Sequence, residues 1–224
     1  KNDKVDAKRI AFFIERNHQD FECWEPCSEA VKSLKILMGQ RKSKIKQRKG
    51  IKQQMADLKD IVFNGSTRKL IKINQKAIKE LDRHIHEIET LIRAEIKSDP
   101  VLQEQLKRIK TVPGIGDVTA WMIAIKTEGF QRLTDPRKLA CFAGVVPFEQ
   151  QSGTSLRTKL RVSKMADMTL KSVLQMAAMR AVRMQNDLQV YYLRKVEEGK
   201  NKMSVLNAVR NKLLHIAMAL IKNQ

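Results

Sequence analysis

The sequence predicts a mainly α-helical protein, and three observations lead to that prediction. Aromatic residues are only 5% of the 224 residues, with 9 Gly and 5 Pro, which is poor material for a β-sandwich or barrel. Isoleucine recurs at seven-residue spacing between residues 71 and 92, as in the apolar seam of a long helix. A hydrophobic content of 42% is ordinary for a globular chain. We therefore expect a long antiparallel helical hairpin (a coiled coil) followed by a compact helical domain.

The charge balance predicts a partner rich in phosphate. Lys and Arg number 44 against 24 Asp and Glu, so the formal net charge is +20. Such an excess favours nucleic acid or an anionic membrane surface. A membrane is disfavoured, because no apolar run approaches the ~20 residues needed to span a bilayer. The 3 Cys are too few for a disulfide framework, which is typical of a cytoplasmic protein.

The chain divides into three regions by composition. Residues 1–26 predict a short helix and a mixed loop, and they begin without methionine, so we expect the later part of a longer protein. Residues 27–99 contain few Gly or Pro, and charges alternate with aliphatic residues. Residues 100–224 regain small residues, glycines and methionines, as expected for a compact domain.

Aliphatic residues recur every three or four positions on the second arm of the expected hairpin. The seam consists of Ile71, Ile78, Leu81, Ile85, Ile88 and Ile92. Residues 63–66 (FNGS) predict the turn between the arms. The seam could pair inside the hairpin or with a second subunit, and the sequence leaves both possibilities open.

A dense basic run lies on the first arm. Residues 41–52 (RKSKIKQRKGIK) hold seven cations and no acid. Such a run is often a solvated helix face, but a rod of this length does not need it for solubility. We interpret Arg41, Lys42, Lys44 and Lys46 as contacts to a nucleic-acid backbone.

The most specific local signal is TVPGIGDVTA, residues 111–120. Gly114 and Gly116 permit a tight turn and close approach to a partner. The helix expected over residues 118–125 would begin with unpaired N–H groups and a positive dipole end, which suit a phosphate. The pattern resembles the helix-hairpin-helix motif of DNA-handling proteins, whose backbone contacts position DNA without reading sequence. The alternative is a plain connector between helices.

Basic residues that alternate with Leu156, Leu160 and Val162 predict an extended ribbon or hairpin with a basic face. Ser152 precedes Gly153 in a polar turn, and the cations that follow are Arg157, Lys159, Arg161 and Lys164. A serine in such a turn is usually only a turn residue. Here the cations could stabilise a serine oxygen that attacks phosphorus.

Two carboxylates lie near the start of the chain. Asp3 and Asp6 are three residues apart, so on a helix they share one face and can point at one metal ion. Carboxylate oxygens suit Mg²⁺, the usual ion of phosphoryl transfer. The pattern is common on surface helices, so alone it is a weak signal.

Taken in order, four segments resemble one family over essentially the whole chain. They are KNDKVDAKRIA, VPGIGDVTA, LACFAGVVPFEQQSG and SKMADMTLKSVLQMAAM, and they look like the insertion-sequence transposases of the one-ten and eleven-eleven groups. The resemblance implies the end of a RuvC-like nuclease domain at 1–26, a coiled coil at 27–99 and a serine-bearing transposase domain at 100–224.

The same resemblance implies roles for individual residues. Asp3 and Asp6 match the last two of four carboxylates that hold Mg²⁺, and Ser152 matches the nucleophile that bonds to DNA phosphate. The family further implies excision and insertion of double-stranded DNA, a structured guide RNA, and active sites shared between subunits of a homo-oligomer. The first two carboxylates would lie upstream of Lys1, so we expect these 224 residues alone to be inactive.

Two other functions compete with recombination. A non-catalytic helix-hairpin-helix module would bind DNA or RNA with the same charge. A base-excision glycosylase would also carry this turn, but many such enzymes add four cysteines, and only Cys141 follows the turn here. A long coiled coil before the turn also disfavours the glycosylase.

Overall fold

The chain is almost entirely helical in a computed structural model, which describes residues 2–20, 26–58, 65–148, 151–152, 156–157, 161–162 and 165–222. The helices are α1 (Asp3–Asn17), α2 (Glu29–Asp57), α3 (Gly65–Ser98), α4 (Pro100–Ile109), α5 (Asp117–Lys126), α6 (Pro136–Phe142), α7 (Met168–Ala181), α8 (Asp187–Glu197) and α9 (Lys202–Lys222), with a 3-10 turn at His18–Asp20. The two-residue strands are β1 (Pro147–Phe148), β2 (Gln151–Ser152), β3 (Leu156–Arg157) and β4 (Arg161–Val162). The mainly α fold is confirmed. Within these ranges, every helix is too short or too polar to cross a membrane.

Helices α2 and α3 pack antiparallel. Arg41 of α2 pairs with Glu89 of α3 at 2.8 Å, and Arg48, one heptad further along α2, pairs with Asp82, one heptad earlier in α3. Because a later residue of α2 pairs with an earlier residue of α3, the two helices run in opposite directions. Of the turn predicted at residues 63–66, residues 63 and 64 lie outside the described residues, and Gly65 and Ser66 begin α3.

The isoleucine seam of α3 faces the inside of the chain. Leu81, Ile85 and Ile92 are buried, and α3 makes most of its contacts with α2. The base of this helix pair joins one continuous core with α4, α5, α7 and α9 through Val31, Leu34, Met38, Ile92 and Ile96. The buried part of the seam is therefore satisfied within one chain.

Helices α7 and α9 form the centre of the compact region. Helix α9 packs against α4, α6, α7 and α8, and α7 also packs against α5. Leu170 and Leu174 of α7 and Leu213 and Leu214 of α9 are fully buried. Each such side chain contributes about 1.5–3 kcal/mol when buried, so these two helices give the surface features a fixed support.

Aspartates begin three of the helices. Asp99, Asp135 and Asp167 accept hydrogen bonds from backbone amides of α4, α6 and α7 at 3.0, 2.8 and 2.7 Å. Each such cap stabilises its helix by about 1 kcal/mol. In the helix that begins after Asp135, Leu139 and Ala140 are fully buried, whereas Phe142 is half-buried.

Residues 147–162, which we call the serine ribbon, contain two nested antiparallel strand pairs. Strand β1 pairs with β4, and β2 pairs with β3, where Ser152 lies opposite Leu156. The extended conformation expected here is confirmed for the described strands. The base of the ribbon meets Gly144 (φ +64°), where an added Cβ would lie 2.4 Å from Ala166 and 3.0 Å from Val162. Only glycine permits this approach.

Candidate nucleic-acid interface

The glycine turn, residues 111–116, joins α4 to α5 and rests on α7. Gly114 has a φ of +90°, and an added Cβ would lie 2.3 Å from the carbonyl oxygen of Ala177 and 2.9 Å from the nitrogen of Ala181. A side chain cannot occupy that space without displacing the α7 backbone. Gly114 therefore fixes the turn on α7. The predicted contribution of Gly114 to nucleic-acid binding, which stays a prediction, would come from this positioning of the turn.

Gly116 lies on the open side of the same turn. Nothing lies within 4 Å of an added Cβ, and Gly116 begins α5 without a side-chain cap. The first amides of a helix lack intrahelical partners and carry the positive end of the helix dipole. This side of the turn is therefore the one that a phosphate can approach.

Asp117 lies at the start of α5, and two cations compensate its charge. Its carboxylate accepts a hydrogen bond from Lys110 Nζ at 2.9 Å and lies 3.5 Å from Arg93 Nη2. The Lys110 hydrogen bond lowers the pKa of Asp117 most strongly, and it prevails over burial, which raises the pKa. The turn consequently has no uncompensated negative charge from this residue.

The four basic residues predicted on α2 point in different directions. Arg41 is 16% exposed and pairs with α3, and Lys44 lines the groove between α2 and α3. Lys42 Nζ donates to Thr169 Oγ1 of α7 at 3.2 Å, whereas Lys46 is exposed. Of these four, Arg41 is the residue that an acid neutralises within the described residues, and Lys42 and Lys46 are the exposed ones.

The N-terminal end of α7 gathers charged groups from three elements, and we call it the α7 junction (Lys42, Lys126, Asp167 and Thr169). Lys126 Nζ of α5 lies 2.6 Å from Asp167 Oδ2, while Asp167 Oδ1 caps α7. Burial alone would raise the pKa of Asp167. Lys126 and the amides at the start of α7 outweigh burial, so the pKa lies below its ordinary value. The junction is a polar joint between the helix pair and the compact region.

Helix α7 brings together three features that the sequence separates. Its C-terminal half carries Ala177 and Ala181 under the glycine turn, and its N-terminal end carries Thr169 beside Lys42. A Cβ added to Gly144, at the base of the serine ribbon, would lie 2.4 Å from Ala166, just before α7, and 3.7 Å from Lys171 within α7. At 1.5 Å per residue, the two ends of α7 lie about 18 Å apart. All three features therefore lie on one rigid element.

The remaining residues predicted around Ser152 are placed only in part. Ser152 lies in β2, Arg157 in β3 and Arg161 in β4. Lys159 and Lys164 lie outside the described residues. The described backbone puts Ser152 and Arg157 on the paired strands β2 and β3.

The two predicted metal ligands lie on α1. Asp3 and Asp6 are both exposed, and the described part of the chain brings together no group of three or more His, Cys, Asp or Glu that could hold a metal. Two carboxylates on one face fit the oxygen preference of Mg²⁺ but supply only part of a coordination shell. The role of Asp3 and Asp6 as metal ligands stays a prediction.

The loop between α5 and α6 is a feature that sequence reasoning missed. Glu128, Phe130 and Leu133 have positive φ values of 49°, 65° and 52°. Buried Thr127 stabilises the turn, since its hydroxyl bonds Ile123 O at 2.8 Å and accepts from Phe130 N at 3.1 Å. Such strained residues cluster at functional sites. In the sequence, only Gly129 signals a turn, because left-handed conformations of other residues leave no pattern.

This strained loop borders a cavity of about 570 Å³ beside α2. The cations that line the cavity are Lys35, Lys126, Arg132 and Lys138. Lys126 also belongs to the α7 junction, so the cavity and the junction are adjacent. The cavity is also lined by the acids Glu128 and Asp135, and Arg132 pairs with Glu128 at 3.4 Å. Residues from four separate elements line the cavity, which explains why no local sequence motif predicts the cavity.

Comparison with known proteins finds similarity to one family and to three individual proteins. Residues 106–193 match the Transposase IS116/IS110/IS902 family. The pilin gene-inverting proteins of Moraxella bovis and Moraxella lacunata are each 26% identical over 224 residues, covering 99% of this chain and 66% of each relative. The transposase for insertion sequence element IS1111A of Coxiella burnetii is 26% identical over 133 residues, 58% of this chain and 36% of that protein. The chain thus spans about two thirds of the length of the first two relatives.

The matched residues coincide with the structural features described above. They contain the glycine turn, the strained loop, the serine ribbon, α7 and most of α8. The similarity to the gene-inverting proteins extends through the helix pair as well. Residues 106–193 of the chain are therefore similar to the transposase IS116/IS110/IS902 family, and the relatives that match at 26% identity are a gene-inverting protein and an insertion-sequence transposase.

Proposed function

We propose that the protein is a recombinase that cuts and rejoins DNA to move or invert a genetic element. The observation that supports this most is the arrangement about α7, where the glycine turn, the base of the serine ribbon and Lys42 meet one helix. A net charge of +20 suits a phosphodiester substrate. Two kinds of relatives, a gene-inverting protein and an insertion-sequence transposase, carry names of this class.

In this proposal Ser152 is the nucleophile. Its oxygen forms a bond to a DNA phosphorus and gives up its proton, while the bond from phosphorus to one bridging oxygen breaks. The departing DNA oxygen takes up a proton and becomes a hydroxyl, and attack by the hydroxyl of another strand releases the serine. The cations assigned to stabilise the charge that develops on the phosphate are Arg157, Lys159, Arg161 and Lys164.

Asp3 and Asp6 are proposed to contribute to a Mg²⁺ site in the intact protein. Their shared, exposed face leaves both carboxylates available to further ligands from a preceding domain or another subunit. A bound Mg²⁺ would neutralise phosphate charge. Because the described residues complete no such site, the 224 residues alone should not cut DNA.

A guide RNA and a homo-oligomer are further parts of the proposal. The isoleucine seam is largely used between α2 and α3, so self-association needs another surface. The outer side of α3 offers Leu70, Ile73 and Leu91, which are 43%, 62% and 54% exposed. Light scattering on wild type and on a triple variant of these residues to Gln tests whether subunits meet there.

Covalent trapping tests the proposed function directly. The full-length protein is incubated with element-end DNA and structured element RNA, and denaturing gels are used to detect a protein–DNA adduct. Ser152→Ala should abolish the adduct and recombination while DNA affinity changes little. Ser155→Ala is the matched control, because it removes an identical hydroxyl from the same segment. Normal recombination by Ser152→Ala would show that the nucleophile lies elsewhere.

A non-catalytic binding module is the second candidate. The observation that favours it is the incomplete carboxylate set on α1. This alternative predicts salt-dependent binding to any duplex and no adduct under any condition, including in the full-length protein. An adduct that requires Ser152 excludes it.

A further inference from the structure

A smaller cavity opens between α3, α4 and α5, next to the glycine turn. Its volume is about 260 Å³. Asp117 is part of its lining, where Lys110 and Arg93 compensate the carboxylate, whereas the 570 Å³ cavity borders α2 and α6. No motif in the sequence predicted it, because its walls come from three helices.

One wall of the cavity is apolar. Ile96, Leu106 and Trp121 form it, and each of them is otherwise packed in the core, with exposures of 8%, 3% and 3%. The Arg93 guanidinium lies 5.7 Å from the centre of the Trp121 ring, which fixes both groups. Flat apolar and aromatic surfaces bind unstacked bases without strong preference among them.

The mouth of the cavity is positively charged. Lys97 and Lys107 are exposed there and make no ion pair or hydrogen bond within the described residues. The two other cations of the lining, Arg93 and Lys110, are held by Asp117. The ammonium groups of Lys97 and Lys107, which have no partner among the described residues, therefore lie at the opening of a cavity with an apolar wall. This combination matches a nucleotide, whose base is flat and whose phosphate is anionic.

We infer that this cavity binds one unstacked nucleotide of a single strand, with its base against Trp121 and its phosphate between Lys97 and Lys107. The volume is near the lower bound of about 300 Å³ for small-ligand pockets, so a base pair would not enter. The inference rests on the proposed function, because cutting and rejoining strands exposes unpaired nucleotides. Duplex is then held at the glycine turn and α2, and a neighbouring single strand is held here.

Tryptophan fluorescence tests the inference. The sequence has 2 Trp, so Trp24→Phe leaves Trp121 as the single reporter. We expect a ten-nucleotide thymidine strand to quench Trp121. A strand of the same length without bases, and a ten-base-pair duplex, should leave the fluorescence unchanged even where they bind. These probes separate entry of a base from attraction of a phosphate.

A double substitution provides the second readout. Lys97→Gln with Lys107→Gln should weaken single-strand binding about tenfold and reduce the log–log salt slope by about 0.7 for each phosphate that is no longer neutralised. The matched control is Lys35→Gln with Lys138→Gln, two exposed lysines at the 570 Å³ cavity. The control should keep the quenching by the thymidine strand.

The remaining outcomes each overturn the inference. Equal quenching by the strand without bases would show that no base enters. Unchanged single-strand binding by the Lys97/Lys107 variant would place the phosphate elsewhere. Salt-dependent duplex binding without any quenching by single strands would exclude the cavity and leave the proposed function intact. Failure of every nucleic acid to bind would exclude both.

Discussion

The two ends of α7 are built from different contacts. At the C-terminal end, Gly114 lies against the backbone of Ala177 and Ala181 with no room for a methyl group. At the N-terminal end, Lys126 forms an ion pair with Asp167, and Lys42 donates a hydrogen bond to Thr169. One end depends on steric fit and the other on charge.

This difference indicates which end of α7 can respond to a change of pH or salt concentration. Close packing does not depend on pH or salt, and it fails abruptly when one atom is added. A partly exposed ion pair is weakened by salt and by acid, and its loss costs little. The glycine turn should therefore be a fixed platform, while the α7 junction should respond to a bound polyanion.

The largest effect is expected from Gly114→Ala. The added Cβ would lie 2.3 Å from Ala177 O, and the φ of +90° adds strain for any L-residue. We expect the free energy of unfolding to fall by at least about 3 kcal/mol, equally at low and high salt. Urea denaturation monitored by circular dichroism measures this.

Gly116→Ala is the matched control. It changes the same residue type two positions later, where nothing lies within 4 Å of the new Cβ. Stability should change by less than about 1 kcal/mol. If both variants lose stability equally, steric fit on α7 is not what distinguishes the two glycines.

The same contrast explains what the sequence could predict about the fold. The hairpin seam was visible because α3 is strongly amphipathic, with Leu81, Ile85 and Ile92 at regular spacing. Helix α5 is buried on nearly all sides and shows no periodicity, but its apolar composition after the glycine turn still indicates a helix. The sequence does not predict whether the isoleucine seam packs on α2 or on a second subunit, because either partner would require the same apolar spacing on α3.

The candidate site was predictable only where its residues are consecutive. The glycine turn and the serine ribbon are local patterns, so both were found. The α7 junction was missed because Lys42 and Thr169 are 127 residues apart, and only folding brings them within 3.2 Å. Arg41 and Lys42 look alike in sequence, yet one faces α3 and the other faces α7, since neighbouring helical residues point about 100° apart.

A buried charge on α9 gives the next prediction. Arg210 is 8% exposed on the helix that packs against α7, and its Nε has no hydrogen-bond partner. Burial lowers the pKa of its guanidinium, which reflects the cost of desolvating the charge. Arg210→Met should raise the free energy of unfolding by about 1–2 kcal/mol. Thermal unfolding checks this, with exposed Lys212→Met as a control that should not stabilise.

Asp167→Asn tests the charged end of α7. Asn can still cap the helix, so the substitution removes mainly the ion pair with Lys126. We expect a loss of about 1 kcal/mol at pH 7 and less at high salt. Glu197→Gln, an exposed residue with no ion pair within the described residues, should change nothing.

The pH dependence of this variant has a definite sign. The folded pKa of Asp167 lies below the ordinary 3.8, so its stabilising contribution is complete well above that value. The contribution disappears as the pH falls from about 5 through the folded pKa, because both states then bind the proton. Wild type and Asp167→Asn should therefore differ at pH 7 and converge at the acid limit. A difference that grows on acidification would contradict the assigned pairing.

The smallest effect on stability, and the sharpest on binding, is expected from Lys42→Gln. Its hydrogen bond to Thr169 is exposed, so stability should change by less than about 0.5 kcal/mol. Duplex DNA affinity should fall for every sequence, and the log–log salt slope should fall by about 0.9 if Lys42 neutralises one phosphate. Arg41→Gln is the comparison, because Glu89 already neutralises that charge at 2.8 Å. It should lower the unfolding temperature and leave the salt slope unchanged. A reduced slope for Arg41→Gln with none for Lys42→Gln would mean that DNA approaches the face of α2 that looks toward α3, not the face that looks toward α7.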